Sequence, residues 1–279
     1  MATLDETTMD RHIRDLADSE VSFYREHGWV TVRELVTSEL AGELLRRAQA
    51  LMGMGVEHVK TYAQGIHQRG SAYAAMWRNY EDPSVEDGFF RRFGTSPQIG
   101  RVASRLLRDR PVRFLRDEIL VKMPTDGGGI ATGWHQDFPF ASRDRSAQIT
   151  IWIALVDLPA ERGTLSFLSG SHTWGVLGRT LDDPDDDLVR QYPELPEECP
   201  LSPPIHLAPG DATMHGGLTA HRAEANATHQ PRWAYTVRIF QADAYYTGAP
   251  QRFTDQLEGL KVNYPFDHPR TPQIWPVDG

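Results

Sequence analysis

From residue 112 onward the chain is divided into short runs rich in β-branched and aromatic residues, and this punctuation constrains the fold more than any other feature. The runs cover 112–123, 148–156, 164–168, 205–207, 211–215 and 232–242, with Gly, Pro, Asn and Asp clustered between them. Runs of this length and composition are strands and the clusters are turns. Many short strands with turn punctuation predict a β-sandwich or jelly roll. The earlier residues read differently. Residues 19–27, 38–52 and 98–109 space their apolar side chains as helices do; Leu40, Leu44, Leu45, Ala48 and Leu51 are an example, with Thr37 or Ser38 placed to cap the start. Residues 29–36, after Gly28, read as a short strand. Helices first and strands after predict a mainly β protein whose flanking helices buttress one sheet face.

The expected organisation is one domain over 1–279: a helical part to about 110, a jelly-roll core over about 111–245 and a tail over 246–279. Arg101, Arg105 and Arg108 read as the solvated face of their helix. The acidic run 182–187 lies in a segment without periodicity and reads either as a solvated loop or as a lid.

Composition excludes several functions. A net charge of −9 leaves no surplus of Lys and Arg to neutralise phosphates, so a nucleic-acid partner is not expected. A lone cysteine, Cys199, cannot form an intrachain disulfide, which suits a reducing compartment. No apolar run has the length of a bilayer span, and the polar first ten residues lack a signal-peptide core. A cytoplasmic protein acting on a small-molecule substrate, with no membrane partner, is the expectation.

The chemistry concentrates at Trp134-His135-Gln136-Asp137-Phe138. On an extended strand residues i and i+2 share a face, so His135 and Asp137 present an imidazole and a carboxylate side by side. A third ligand from further along the chain would complete the two-histidine, one-carboxylate face used by non-haem iron oxygenases, which leaves adjacent metal positions open. Six histidines follow Asp137. His221 is the best placed, after the strand launched by Pro209-Gly210-Asp211; His215 is its rival. Turn formers follow His221 and then a strand opens at Arg232, which reads as a hairpin returning Arg232 beside His221. A buried arginine near a metal can clamp a dicarboxylate such as 2-oxoglutarate bidentately.

These segments together resemble the phytanoyl-CoA dioxygenase family of iron(II)/2-oxoglutarate-dependent oxygenases. The resemblance rests on His135-Gln136-Asp137, the strand around Trp152, Gly170-Ser171-His172, Pro209-Gly210-Asp211, and His221 with Arg232 eleven residues later; Phe23–Gly28 also fits the family's N-terminal helix and strand. It spans roughly residues 18–245. It implies a double-stranded β-helix, cupin-like core, Fe(II) on His135, Asp137 and His221, and 2-oxoglutarate held by Arg232 and flanked by Trp152. Molecular oxygen would be the co-substrate, and the product an oxidised C–H bond with succinate and carbon dioxide. One position departs from the family. Gly-Ser often follows the distal histidine, whereas Arg222 and Ala223 stand here; Thr150 is the expected substitute for that serine hydroxyl at the co-substrate. Halogenating relatives replace the carboxylate ligand with a small residue, and Asp137 argues against that chemistry.

The substrate pocket is less legible. Trp77, Phe138, Trp174 and Tyr245 are the expected substrate-binding residues, with Met76, Trp134, Phe140 and Tyr246 nearby in sequence; all could equally be core aromatics. Strand parity puts Trp134 and Phe138 opposite the ligand side. Trp152 reads either as core or as co-substrate wall, Arg238 as a cavity residue or a surface ion pair, and Lys122 as a co-substrate contact or an exposed lysine. The resemblance implies oxidation of a small, largely hydrophobic molecule in bacterial secondary metabolism, by hydroxylation or with an epimerisation, desaturation or ring-closure outcome. A metal-dependent hydrolase using the same triad and a non-catalytic jelly-roll binding protein are the rivals from other classes.

Overall fold

A computed structural model describes residues 6–52, 78–127, 129–178, 187–251 and 253–276. Helix α1, Asp18–His27, ends at Gly28, whose φ of +80° is the left-handed cap that glycine adopts most easily. Strand β1, Trp29–Val32, follows, shorter than the sequence suggests because the chain turns at Glu34 with a positive φ. Helix α2, Ser38–Leu51, is capped by Thr37, whose side chain accepts from the Leu40 amide. Strand β2, Arg78–Glu81, precedes three short helices: α3, Pro83–Glu86; α4, Gly88–Gly94; and α5, Pro97–Leu106. Helix α5 stops where Arg108 and Asp109 take positive φ. Its arginines are not simply solvated: Arg101 and Arg105 both pair with Asp15 and fasten the N-terminal segment to the helix.

The remaining strands are β3, Val112–Lys122; β4, Thr132–His135; β5, Gln148–Ala154; β6, Leu165–Phe167; β7, Ala212–Gly216; β8, His221–Ala223; β9, Arg232–Gln241; and β10, Gln273–Trp275. They make a jelly roll of two antiparallel sheets. The larger has the order β1-β7-β5-β9-β3-β10, with β2 also on β3, and the smaller the order β4-β8-β6. Residues 205–207, expected as a strand, contribute only an isolated bridge from Leu207 to Leu158. The tail is more than a tail: β10 extends the larger sheet, and Phe253 and Phe266 pack with Leu115 and Phe240.

Alternation along the strands divides the larger sheet's two faces. Ile149, Ile151, Ile153, Val237 and Ile239 point to the helices and join Leu40, Leu44, Phe89, Phe93 and Val102 in the main core. Trp152, Ala154 and Ala234 point the other way and pack with Leu165, Phe167 and Ala223 of the smaller sheet. On this inner face the register stacks cross-strand rows. Lys122 faces Arg232 at one end; His215, Thr150 and Arg238 align further along; Gln148 faces Phe240 beyond them.

The expected hairpin after His221 does not form. Strand β8 pairs with β4 and β6 in the smaller sheet, whereas β9 pairs with β3 and β5 in the larger. Residues 224–231 therefore cross from one sheet to the other, and Arg232 reaches the interior as a neighbour of Lys122 rather than of the His221 strand.

Candidate active site

His135 ends β4 and His221 begins β8, and these two residues are register partners in the smaller sheet. Their rings lie 4.1 Å apart, centroid to centroid. Nδ1 of His135 is 2.8 Å from the Gly133 carbonyl, and Nδ1 of His221 is 3.0 Å from the Thr219 carbonyl. A carbonyl only accepts, so each Nδ1 carries the proton and each Nε2 keeps its lone pair. Burial lowers the pKa of both imidazoles, most strongly that of His221, where His135 and His215 add to the effect. Both are therefore held neutral, the form that ligates metals.

Asp137 arrives by a different route from the one strand parity predicts. Strand β4 stops at His135, and Asp137 has helical backbone angles, φ −75° and ψ −37°, at the start of a short 3-10 turn, Phe138–Phe140. The turn swings its carboxylate toward the larger sheet. There its Oδ2 accepts a 2.7 Å hydrogen bond from Thr150, with Nε2 of His215 at 3.4 Å and Nε of Arg238 at 4.0 Å. Burial alone would raise this carboxyl's pKa, but Arg238 and the neighbouring histidines outweigh it and hold Asp137 well below the usual carboxylate range. Ligand atoms of His135, Asp137 and His221 all fall within 4.8 Å of one another.

Gln136, between two of these residues, is fully buried. Its Nε2 donates to the carbonyls of Gly175 and Leu218, at 2.8 and 2.7 Å, and its Oε1 accepts from the Leu177 amide at 2.9 Å. It ties the ligand turn to two loops at once, a role to which no local pattern in the sequence points. Asp187, last of the acidic run, also braces the site: its Oδ2 accepts from the Trp134 amide at 2.9 Å and its Oδ1 caps the next helix.

The second feature is cationic. Arg232 is 2% exposed, its guanidinium carbon stands 5.2 Å over the Trp152 ring, and one terminal nitrogen donates to the Gly163 carbonyl at 2.8 Å. Its Nε is buried with no partner, and burial drives the guanidinium down to about 9. Lys122, opposite it, is fully buried, which removes the reading of an exposed lysine. Its Nζ donates to Thr132 Oγ1 and to the Ala223 and Glu224 carbonyls at 3.1–3.2 Å; burial, and then Arg232, lower it to about 6. A buried arginine with an unpartnered Nε and no carboxylate partner among the described residues, set beside a buried lysine, fits a missing carboxylate.

Several expected residues stand elsewhere. Thr150 does not offer a free hydroxyl to a co-substrate, because it donates to Asp137. Trp174 packs with Trp134, Leu168 and Leu177 in a cluster on the far face of the smaller sheet from His135. Tyr245 is exposed beneath Arg145, and Tyr246 packs on Phe266. Phe138 adjoins Asp137 and is half-buried. Trp77 and Met76 lie outside the described residues, as does most of the acidic run 182–187.

A jelly roll that gathers two neutral imidazoles, a carboxylate and an unpaired arginine defines the class of iron- and 2-oxoglutarate-dependent dioxygenases. Comparison with known proteins agrees. The family model for phytanoyl-CoA dioxygenase matches residues 24–234, and the chain belongs to this family. It is 28% identical over 270 residues to phytanoyl-CoA dioxygenase domain-containing protein 1 of Danio rerio, covering 82% of this chain and 91% of that one. The mouse protein of the same name is 29% identical over 164 residues, covering 57% of this chain and 55% of its own length. Among solved structures, the epimerase SnoN in complex with Fe3+, alpha ketoglutarate and nogalamycin RO superposes with a TM-score of 0.75 at 26% identity, covering 92% of this chain and 98% of that one. The carbocyclase SnoK from nogalamycin biosynthesis gives a TM-score of 0.73, also at 26% identity, covering 92% of this chain and 96% of that one. No described helix is long and apolar enough to cross a membrane.

Proposed function

We propose that this dioxygenase oxidises an unactivated C–H bond of a small, largely apolar molecule, with iron(II) on Nε2 of His135, Nε2 of His221 and a carboxylate oxygen of Asp137. The observation that carries the reading is the triad itself: three donors within 4.8 Å, both histidine tautomers fixed so that Nε2 is free. Thr150, His215 and Arg238 gather on Oδ2 of Asp137 and leave Oδ1 for the metal. Such outer partners fix the orientation of ligating side chains. Arg232 and Lys122 hold the distal carboxylate of 2-oxoglutarate, and Trp152 walls that end. When bound, iron(II) would activate oxygen, the oxidant, with 2-oxoglutarate as the two-electron donor that leaves as succinate and carbon dioxide. This chain's residues supply ligands, a fixed orientation and burial away from water.

Hydroxylation is the simplest outcome. Epimerisation or ring closure is a second reading, favoured by likeness to an epimerase and a carbocyclase at 26% identity. The same likeness supports tailoring of a secondary metabolite; the sequence relatives, from animals and Dictyostelium discoideum, do not bear on that role. The test is succinate formation from 2-oxoglutarate by protein reconstituted anaerobically with Fe(II) and then exposed to oxygen. Uncoupled turnover that needs both oxygen and His221 supports the reading. Hydrolytic activity independent of 2-oxoglutarate and oxygen, or no succinate from iron-loaded protein, overturns it.

A further inference from the structure

A second unpaired arginine lies at the opposite end of the triad from Arg232. Arg143 is 3% exposed, and its Nε and Nη1 are buried without a hydrogen-bond partner. Its other terminal nitrogen donates to Oε1 of Gln148, and its guanidinium carbon stands 4.7 Å over the Phe240 ring. Gln148 and Phe240 are register partners on the inner face of the larger sheet, two residues from Thr150 and Arg238 respectively. Arg143 therefore covers the row next to the one that receives Asp137, about 7 Å further along the strands.

The charges around it do not balance. The groups acting on Arg143 are Asp137, which favours its charge, and Arg238, which opposes it; burial opposes it more than either, and the guanidinium falls to about 9. Arg238 spends its own charge on Glu118, the carboxylate it pairs with. A divalent ion on Asp137 would deprive Arg143 of its one attractive neighbour. Buried polar groups left unpaired are costly and uncommon, and a buried guanidinium with two unpartnered donors suits an oxyanion.

We propose that Arg143 is a specificity-determining residue that binds an oxyanion, a carboxylate in the simplest case, on the otherwise apolar substrate. The inference rests on the oxygenase reading and adds the handle by which the substrate is held. Arg232 takes the co-substrate's distal carboxylate at one end, and Arg143 takes the substrate's at the other, with the oxidising centre between them.

The test uses the full chain loaded anaerobically with Fe(II) and saturated with 2-oxoglutarate, so that the Arg232 end is filled. Aliphatic and aromatic monocarboxylates and their matched carboxamides are the probes, and thermal shift against concentration is the readout. Wild type should prefer carboxylates roughly tenfold, the scale of one charge-assisted hydrogen bond. Arg143→Gln should lose the preference and Arg143→Lys keep part of it, both with 2-oxoglutarate affinity unchanged. Gln148→Glu guards against a variant that fails to fold: it is isosteric and gives Arg143 an internal carboxylate, so it too should abolish the preference. The proposal is overturned if wild type shows no carboxylate preference, if Gln148→Glu retains it in full, or if Arg143→Gln weakens 2-oxoglutarate as Arg232→Ala does. Failure of the oxygenase reading looks different, since the wild type would then neither retain iron nor turn over 2-oxoglutarate.

Discussion

Arg232 and Arg238 lie on the same strand and the same face, six residues apart, yet their surroundings are opposite. Arg232 has no carboxylate partner among the described residues, keeps a buried unpartnered Nε, and has its charge pushed down by burial. Arg238 pairs with Glu118 and reaches Oδ2 of Asp137, and these carboxylates outweigh the effect of its burial and raise its pKa. Removing one partner from a balanced buried pair leaves a charge stranded, whereas an unpaired buried cation is already stranded until a ligand arrives. The contrast separates two jobs that strand parity alone assigns equally: Arg238 completes the ligand cage, and Arg232 waits for an anion.

The largest effect lies at the metal that both ends serve. His135→Ala, Asp137→Ala and His221→Ala should each abolish iron retention, measured by metal content after dialysis. His215→Ala should keep iron at reduced affinity, because His215 touches Asp137 without belonging to the compact donor set. Full iron retention in His221→Ala with loss in His215→Ala would reverse the two assignments.

Next comes the comparison itself. Arg232→Ala strands the co-substrate carboxylate, at a cost on the order of 3 kcal/mol. That is roughly a hundredfold in the apparent Michaelis constant for 2-oxoglutarate, with iron still bound. Arg232→Lys should recover only part, since an ammonium lacks the planar fork. Arg238→Ala and Thr150→Val should do the reverse, weakening iron by about tenfold and leaving 2-oxoglutarate nearly untouched. Titrating both ligands against all four variants checks this double dissociation. A greater loss of 2-oxoglutarate affinity in Arg238→Ala than in Arg232→Ala would break it.

Much of this was legible in the sequence because it depends on local pattern. Residue type and order single out His135, Asp137 and His221 as candidates, with His215 left as a rival, and the jelly roll follows from short strands between turn formers. What the sequence hides depends on pairing across distance. The loop after His221 contains turn residues, and a hairpin and a crossover between sheets begin alike; only the partners of β8 and β9 distinguish them. Thr150 and Trp152 share a face, but nothing local says that one reaches Asp137 and the other Arg232. The role of Gln136 is not legible locally because its three partners come from residues 175, 177 and 218. Helices α3 and α4 went unread because they are too short to show a period, although Phe89, Phe90 and Phe93 anchor the second of them.

The finest test of the contrast is the proton that Lys122 carries. Arg232 keeps company with this lysine, whereas Arg238 sits among carboxylates, so only the Arg232 end should couple co-substrate binding to protonation. In the co-substrate-free protein, burial and then Arg232 lower the Lys122 ammonium to about 6, so near pH 7.5 it is mostly neutral. A dianion docked beside it favours the charged form and raises that pKa. Binding then takes up a proton wherever the pH lies between the free and bound values. The sign follows: affinity for 2-oxoglutarate is greatest below about pH 6, where the lysine is already charged, and declines as pH rises toward 8. The decline should be several-fold rather than hundredfold, because Arg232 still supplies the main attraction. Calorimetry in buffers of different ionisation enthalpy reads the uptake directly. Wild type should take up a fraction of a proton at pH 7.5, Lys122→Met none, and Arg238→Ala as much as wild type. Equal uptake in wild type and Lys122→Met would show that the proton goes elsewhere and that Lys122 serves only to bridge the Ala223 and Glu224 carbonyls.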